Sequence, residues 1–248
     1  MVDTPYGLRQ QSCRLRPGLQ PGRNAQALLA HSKRVQFIRL PGIEEWNFEM
    51  NLANEMVSGF VLAGGKSSRF PPNKALASFR GSPLLVNALR ILSSITPSLF
   101  ILGPPASFAS SGVPIIPDLG ESCGPITGLY TAIKRSASSV NLILACDMPL
   151  LTPDFFRELL KRVPPAEAAV FRHADGKVEP LAGVYGKACL PKIESFLLAG
   201  GRKVAELLLA LQVSYVEEKD FSECVIRPDM LANLNSPEDL LRLESIVG

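Results

Sequence analysis

From Met56 onward, short apolar runs alternate with stretches in which apolar residues recur every three or four positions. This is the pattern of βαβ units around a mostly parallel sheet. The apolar runs predict strands at Gly59 to Leu62, Leu99 to Leu102, Pro114 to Ile116, Asn141 to Ala145, Ala168 to Phe171 and Leu181 to Tyr185. A helix is predicted after Ser82, with Leu84, Leu85, Ala88, Leu89 and Leu92 on its faces, and another after Gly124, carrying Tyr130, Ala132 and Ile133. Thr152-Pro153-Asp154 supplies an N-cap, a proline at the first helical position and an acid in the first turn, ahead of Phe155, Phe156, Leu159 and Leu160. Ser236-Pro237-Glu238-Asp239 repeats that logic before Leu240, Leu241, Leu243 and Ile246.

Residues 1–55 break the pattern. Pro5, Pro17, Pro21 and Pro41 stand among Gly and Arg with no sustained period, so this stretch is expected to be a disordered or mis-assigned N-terminal extension, with translation beginning at Met50 or Met56. Residues 56–248 are expected to form a single domain. A chain of 248 residues, 46% hydrophobic and 20% charged, can build the full core such a domain needs. No apolar run approaches the roughly 18 residues of a membrane span. The net charge of +3 is small and scattered, which argues against nucleic acid as a partner. Five cysteines without a C-x-x-C pair suit neither a disulfide framework nor a zinc site, and a cytoplasmic, reducing setting is the simplest expectation. The two histidines, His31 and His173, read as surface residues.

The chemistry concentrates where strands end. The first strand runs into Ala63-Gly64-Gly65-Lys66-Ser67-Ser68-Arg69. Gly64 and Gly65 allow the backbone to approach an anion closely, and Arg69 and Lys74 add positive charge against a triphosphate. A Walker A loop is excluded because its first glycine would fall at Phe60, and no G-x-G-x-x-G follows the strand. Two further strands deliver carboxylates, Asp118 and Asp147, to the same sheet edge, where Asp147 can bring Mg²⁺ and triphosphate together. Taken singly, an Asp after a strand is as readily a cap or turn residue. Three such features on one edge point to nucleotide chemistry.

These segments resemble a known family. Leu62-Ala63-Gly64-Gly65-Lys66-Ser67-Ser68-Arg69-Phe70 with Asn73-Lys74-Ala75-Leu76, Ile116-Pro117-Asp118 with Gly124-Pro125-Ile126-Thr127-Gly128-Leu129, and Ala145-Cys146-Asp147-Met148-Pro149-Leu150 are similar to the MobA-like nucleotidyltransferases, and within them to the molybdenum cofactor guanylyltransferases. Weaker matches follow at Glu179-Pro180-Leu181, Leu198 to Val204 and Asn233 to Asp239. The resemblance implies a three-layer Rossmann-like α/β nucleotidyltransferase fold with a mostly parallel sheet. It implies that Leu62, Ala63 and Gly64 contact GTP through the backbone, with Gly65 beside them, that Lys74 contacts phosphate, that Asp118 contacts the nucleotide, and that Asp147 binds nucleotide and Mg²⁺. Asp147, Lys74 and Arg69 are then the catalytic group, transferring GMP to molybdenum-molybdopterin with release of pyrophosphate. Apo-molybdoenzymes or their chaperones are further implied partners. The chain departs from the family pattern at Pro71 and Pro72, where glycines are usual, and at Gly103, where some relatives place an asparagine. Rival expectations are a cytidylyl- or sugar-phosphate nucleotidyltransferase with the same cradle, and a non-catalytic molybdenum-cofactor carrier. Arg202, Lys203, Asn233 and Asn235 are candidates for the pterin side, and equally for capping or surface roles.

Overall fold

The computed structural model describes residues 56–64, 73–120, 123–221 and 228–247. The expected extension over residues 1–55 lies outside them, as do Gly65, Arg69, Pro71 and Pro72. The strands are β1 (Val57–Leu62), β2 (Ser78–Phe79), β3 (Ser82–Pro83), β4 (Leu99–Leu102), β5 (Ile115–Ile116), β6 (Val140–Ala145), β7 (Ala168–Arg172), β8 (Val178–Gly186) and β9 (Val213–Val216). The helices are α1 (Leu84–Ser93), α2 (Pro105–Phe108), α3 (Pro125–Arg135), α4 (Pro153–Leu160), α5 (Leu190–Leu198), α6 (Val204–Leu207) and α7 (Pro237–Val247).

Seven strands form one sheet in the order β5-β4-β1-β6-β8-β7-β9. Only β8 runs against the others, pairing antiparallel with β6 and β7. Both faces are covered. On one face α1 and α4 bury Leu85, Leu89, Phe155 and Phe156 against Val61, Leu142 and Leu144. On the other α3 buries Ile126, Leu129 and Ile133 against Phe60, Leu102 and Ile143. Successive residues of β6 thus serve opposite layers, which is why that strand reads as a continuous apolar run and not as an alternation. The expected three-layer α/β architecture with a mostly parallel sheet is the one observed.

Glycines let these layers close up near the ends of β1. A Cβ on Gly59 would stand 2.8 Å from the Leu99 side chain, and one on Gly128 would stand 3.1 Å from Leu62. The first turn of α3 therefore sits directly on the carboxyl end of β1. A small hairpin, β2–β3, turns through Arg80 (φ 51°) and Gly81 (φ 77°), the pair of positive φ values that a two-residue turn of this hand requires. The Arg80 N–H donates to the Glu244 carboxylate of α7 at 3.2 Å. Phe79, Leu84, Leu234 and Leu243 form a separate small core there.

Some expectations need correction. The N-cap assigned to Thr152 is absent as a hydrogen bond: Thr152 occupies the capping position in an extended conformation, but its side chain bonds no helix N–H. Ser236 does cap α7, its Oγ accepting from Asp239 N–H at 3.2 Å while Asp239 Oδ2 accepts from Ser236 N–H at 3.0 Å. Strand β9 and the β2–β3 hairpin were not predicted, because runs of two to four residues are too short to display a period. Cys146 and Cys189 are free and buried, whereas Cys123 is disulfide-bonded to a partner outside the described residues. His173 is not a bare surface residue, since its Nε2 lies 2.9 Å from Glu179 Oε1 and its ring meets Phe171 edge-on. Among the described residues no helix is long and apolar enough to cross a membrane.

Candidate functional site

The carboxyl ends of β1, β4 and β6 open into one cleft lined by Leu62, Ala63, Gly64, Lys74, Asp118 and Asp147, with Gly124, Pro125 and Gly128 from the start of α3. Open α/β sheets bind ligands at this edge. The residues predicted for nucleotide and metal that fall within the described chain all line it, whereas the pterin candidates Arg202, Lys203, Asn233 and Asn235 are not part of its lining. Gly65 and Arg69 lie outside the described residues.

Ala63 leaves β1 in an extended path, its N–H donating to Leu102 O at 2.9 Å. A Cβ on Gly64 would approach only Gly103 Cα at 3.7 Å, Leu102 O at 3.8 Å and Asp118 Oδ2 at 3.9 Å. Gly64 is therefore not demanded by packing, and its missing side chain leaves backbone open beside the Asp118 carboxylate. Gly103 differs, because a Cβ there would meet Phe108 Cε2 at 3.0 Å and Gly64 N at 3.4 Å. The absent side chain at that position is thus a packing requirement that brings β4 against the end of β1.

Asp118 follows β5 and is half-buried, and burial raises its carboxyl above the usual carboxylate range. Among the described residues it accepts no hydrogen bond. The loop after it is held by α3 instead. Thr131 Oγ1 accepts from Leu119 N–H at 3.0 Å and donates to Thr127 O at 2.7 Å, and Thr127 Oγ1 accepts from Cys123 N–H at 2.9 Å.

Asp147 leaves β6 and points into the cleft. Lys74, on a single 3-10 turn capped by Asn73, donates from Nζ to Asp147 Oδ2 at 2.8 Å and to Asn235 Oδ1 at 3.0 Å. The Lys74 and Asp147 side chains are only 14% and 23% exposed, so the pair is largely withdrawn from water. The second carboxylate oxygen, Asp147 Oδ1, is buried with no hydrogen-bond partner among the described residues. A buried carboxylate oxygen left without a partner costs free energy unless a cation or donor is supplied. Hard oxygen donors of this kind suit Mg²⁺, which takes one or two carboxylates and completes its shell with water and phosphate oxygens. Cys146 beside it is pushed up to about 12 by burial and then by the Asp147 charge, so it stays a thiol.

The sequence offered Asn235 for the pterin side or for a capping or surface role, and the structure sets its side chain against Lys74. Asp239 Oδ2 accepts from Asn235 N–H at 2.9 Å, and Leu234 N–H donates to Asp147 O at 2.8 Å. The start of α7 therefore clamps onto the end of β6 and presents Asn235 to Lys74. Arg202 serves the fold, donating to Leu197 O and Gly201 O, and Lys203 pairs with Glu206 at 3.0 Å. Leu181 was not predicted. It reaches the cleft because the register of β7 and β8 shifts between Val170 and Phe171, at a place where Pro180 lacks an N–H and the Tyr185 hydroxyl donates to Pro180 O at 2.7 Å. No periodicity signals such a bulge.

Known proteins resemble this chain in sequence and in fold. A probable molybdenum cofactor guanylyltransferase of Flavobacterium johnsoniae is 33% identical over 189 residues, covering 75% of this chain and 95% of that protein. A protein of the same name from a Nostoc species is 35% identical, covering 74% and 88%. Among solved structures, molybdopterin-guanine dinucleotide biosynthesis protein A from Archaeoglobus fulgidus matches with a TM-score of 0.64 at 26% identity, over 77% of this chain and 98% of that one. A nucleotidyl transferase from Methanothermobacter, 17% identical with a TM-score of 0.60, covers 77% and 97% and shares the fold. Residues 59–214 match the model of the MobA-like NTP transferase domain, and the chain belongs to that nucleotidyltransferase family.

Proposed function

We propose that residues 56–248 act as one domain that transfers GMP from GTP to the terminal phosphate of molybdenum-molybdopterin, with Mg²⁺ at Asp147. The observation that carries the reading is the Lys74–Asp147 pair at the mouth of the parallel strands, with Asp147 Oδ1 buried and unpartnered among the described residues. The names of the relatives supply guanine and the pterin.

The acceptor is a phosphate oxygen that is already anionic, so attack on the α-phosphorus of GTP needs no general base. A bond forms between that oxygen and the α-phosphorus, the bond from the α-phosphorus to the bridging oxygen breaks, and pyrophosphate leaves with the electron pair. The task of the site is to bring two anions together and offset their charge. Gly64 gives the triphosphate open backbone, and the family resemblance adds Gly65 to the cradle. Lys74, turning from Asp147 toward phosphate, supplies a positive charge that Asn235 helps to aim, and Arg69 adds a second. Asp118 stands beside Gly64, where a nucleoside bound on that backbone meets its carboxylate. Bound Mg²⁺ would offset triphosphate charge and polarise the phosphoryl oxygens.

The test is pyrophosphate release from GTP, CTP and UTP in turn with purified molybdenum-pterin acceptor, with and without Mg²⁺. Release with GTP alone, abolished by EDTA, is expected. Preference for CTP or UTP would move the assignment to a cytidylyl- or sugar-phosphate nucleotidyltransferase. Tight pterin binding with no release under any nucleotide would make the protein a carrier.

A further inference from the structure

We infer that Thr127 and Thr131 of α3 are positioning residues of the nucleotide site, holding the loop that carries Asp118 through two backbone N–H to hydroxyl hydrogen bonds. The inference rests on the nucleotide-transfer reading and adds residues to its machinery.

The geometry is specific. Both threonines are buried, Thr131 completely, although neither lies in a polar region of the core. They stand one helical turn apart on α3. Each hydroxyl faces the loop: Thr131 Oγ1 takes the N–H of Leu119, the residue after Asp118, and Thr127 Oγ1 takes the N–H of Cys123, two residues before the helix begins. Thr131 Oγ1 is oriented as an acceptor because its own hydrogen goes to Thr127 O. The two bonds fasten Leu119 and Cys123 to the helix. A helix made of Ile, Leu, Val and Ala at these positions would fill the same space and leave two loop N–H groups unmatched, a loss that buried donors seldom suffer.

The consequence concerns Asp118. Its carboxylate accepts no hydrogen bond among the described residues, so its position beside Gly64 is set by the backbone and not by side-chain partners. The backbone is set in turn by Leu119 N–H on Thr131. Helix α3 also lends Gly124, Pro125 and Gly128 to the cleft. One rigid element thus fixes both the wall of the cleft and the carboxylate in front of it, as a preorganised site requires.

Two variants at one position separate positioning from packing. Thr131→Val keeps the volume and loses the hydroxyl, while Thr131→Ser keeps the hydroxyl and loses a methyl group. The inference expects Thr131→Val to raise KM for GTP roughly two- to tenfold, the worth of one net hydrogen bond, with kcat within about twofold of wild type. It expects Thr131→Ser to restore wild-type KM, and amide exchange in residues 118–123 to accelerate in the valine variant only. A purely packing role gives the reverse, with serine impaired and valine unaffected, and that result overturns the inference. Equilibrium titration with GTP, CTP and UTP accompanies the kinetics. Wild-type protein that binds none of them removes the nucleotide reading, and the exchange rates in residues 118–123 still decide the hold of Thr131 on the loop.

Discussion

Replacing Asp147 by Asn tests the centre of the site, because it removes one charge while keeping nearly the same shape. At 2.8 Å and an effective dielectric of about 20, Asp147 and Lys74 attract by about 6 kcal/mol. Much of this offsets the desolvation of two largely buried side chains, so the pair is worth about 1–3 kcal/mol net. The Asn carbonyl oxygen can still accept from Lys74 Nζ, which keeps the loss at the lower end of that range. Thermal unfolding should therefore fall by roughly 2–6 °C for a domain of this size, and the circular dichroism spectrum should be unchanged. Turnover behaves differently. A neutral amide is a poor ligand for Mg²⁺, and losing about 4 kcal/mol of transition-state stabilisation lowers the rate of pyrophosphate release about a thousandfold. Binding of GTP in EDTA should go the other way. The cleft becomes one unit more positive and Lys74, held by a neutral acceptor only, swings more readily toward phosphate, which tightens metal-free binding roughly tenfold. Three readings with different signs are thus expected from one atom pair. A variant that keeps more than about a tenth of wild-type Mg²⁺-dependent release, or that binds metal-free GTP more weakly, refutes the role given to Asp147.

Gly64→Ala and Gly103→Ala should separate function from stability. The first meets nothing closer than 3.7 Å, so the variant is expected to melt normally yet lose GTP affinity in a titration, while the second meets Phe108 at 3.0 Å and should cost about 1–3 kcal/mol by denaturant unfolding. Burial raises the Asp118 carboxyl above its ordinary value of 3.8, so the folded state holds that proton more tightly than the unfolded chain, and the resulting stabilisation is lost as pH rises through the folded pKa. Asp118→Asn should accordingly melt higher than wild type at pH 7, with the gap closing as pH falls to about 4, although GTP binds less well; equal melting temperatures at both pH values would falsify this account. Tyr185→Phe removes the hydroxyl that braces Pro180 O and should cost about 1 kcal/mol in urea unfolding.

The central strands were legible in the sequence because both faces of the sheet are buried, so β1, β4, β6 and β7 appear as uninterrupted apolar runs bounded by turn residues. The lining of the cleft was legible for a related reason. In a parallel sheet the residue after each strand lands on one edge, and Gly64, Asp118 and Asp147 each follow a strand. What sequence could not show is pairing across distance. Nothing local to Lys74 says that its partners are Asp147 and Asn235, and nothing local to Gly103 says that Phe108 and Gly64 exclude a side chain there. Leu181 escaped because a bulge, and not the alternation of β8, turns it toward the cleft. The reversed direction of β8 also has no local sign, since both directions give the same periodicity.

The clasp between α7 and the end of β6 bears on the order in which this protein becomes active. Lys74 and Asn235 are separated by 161 positions, and Leu234 closes onto Asp147 across 87. Such contacts carry a large loop-closure entropy, and they wait for the last part of the chain, whereas β1, β4 and β6 can pair without it. A chain emerging from the ribosome can assemble most of its sheet before residues beyond 230 exist, but Lys74 then lacks the Asn235 that aims it. Competence for chemistry is thereby deferred to the last step of folding, and a nascent or clipped chain would hold a nucleotide-shaped cleft without a completed one.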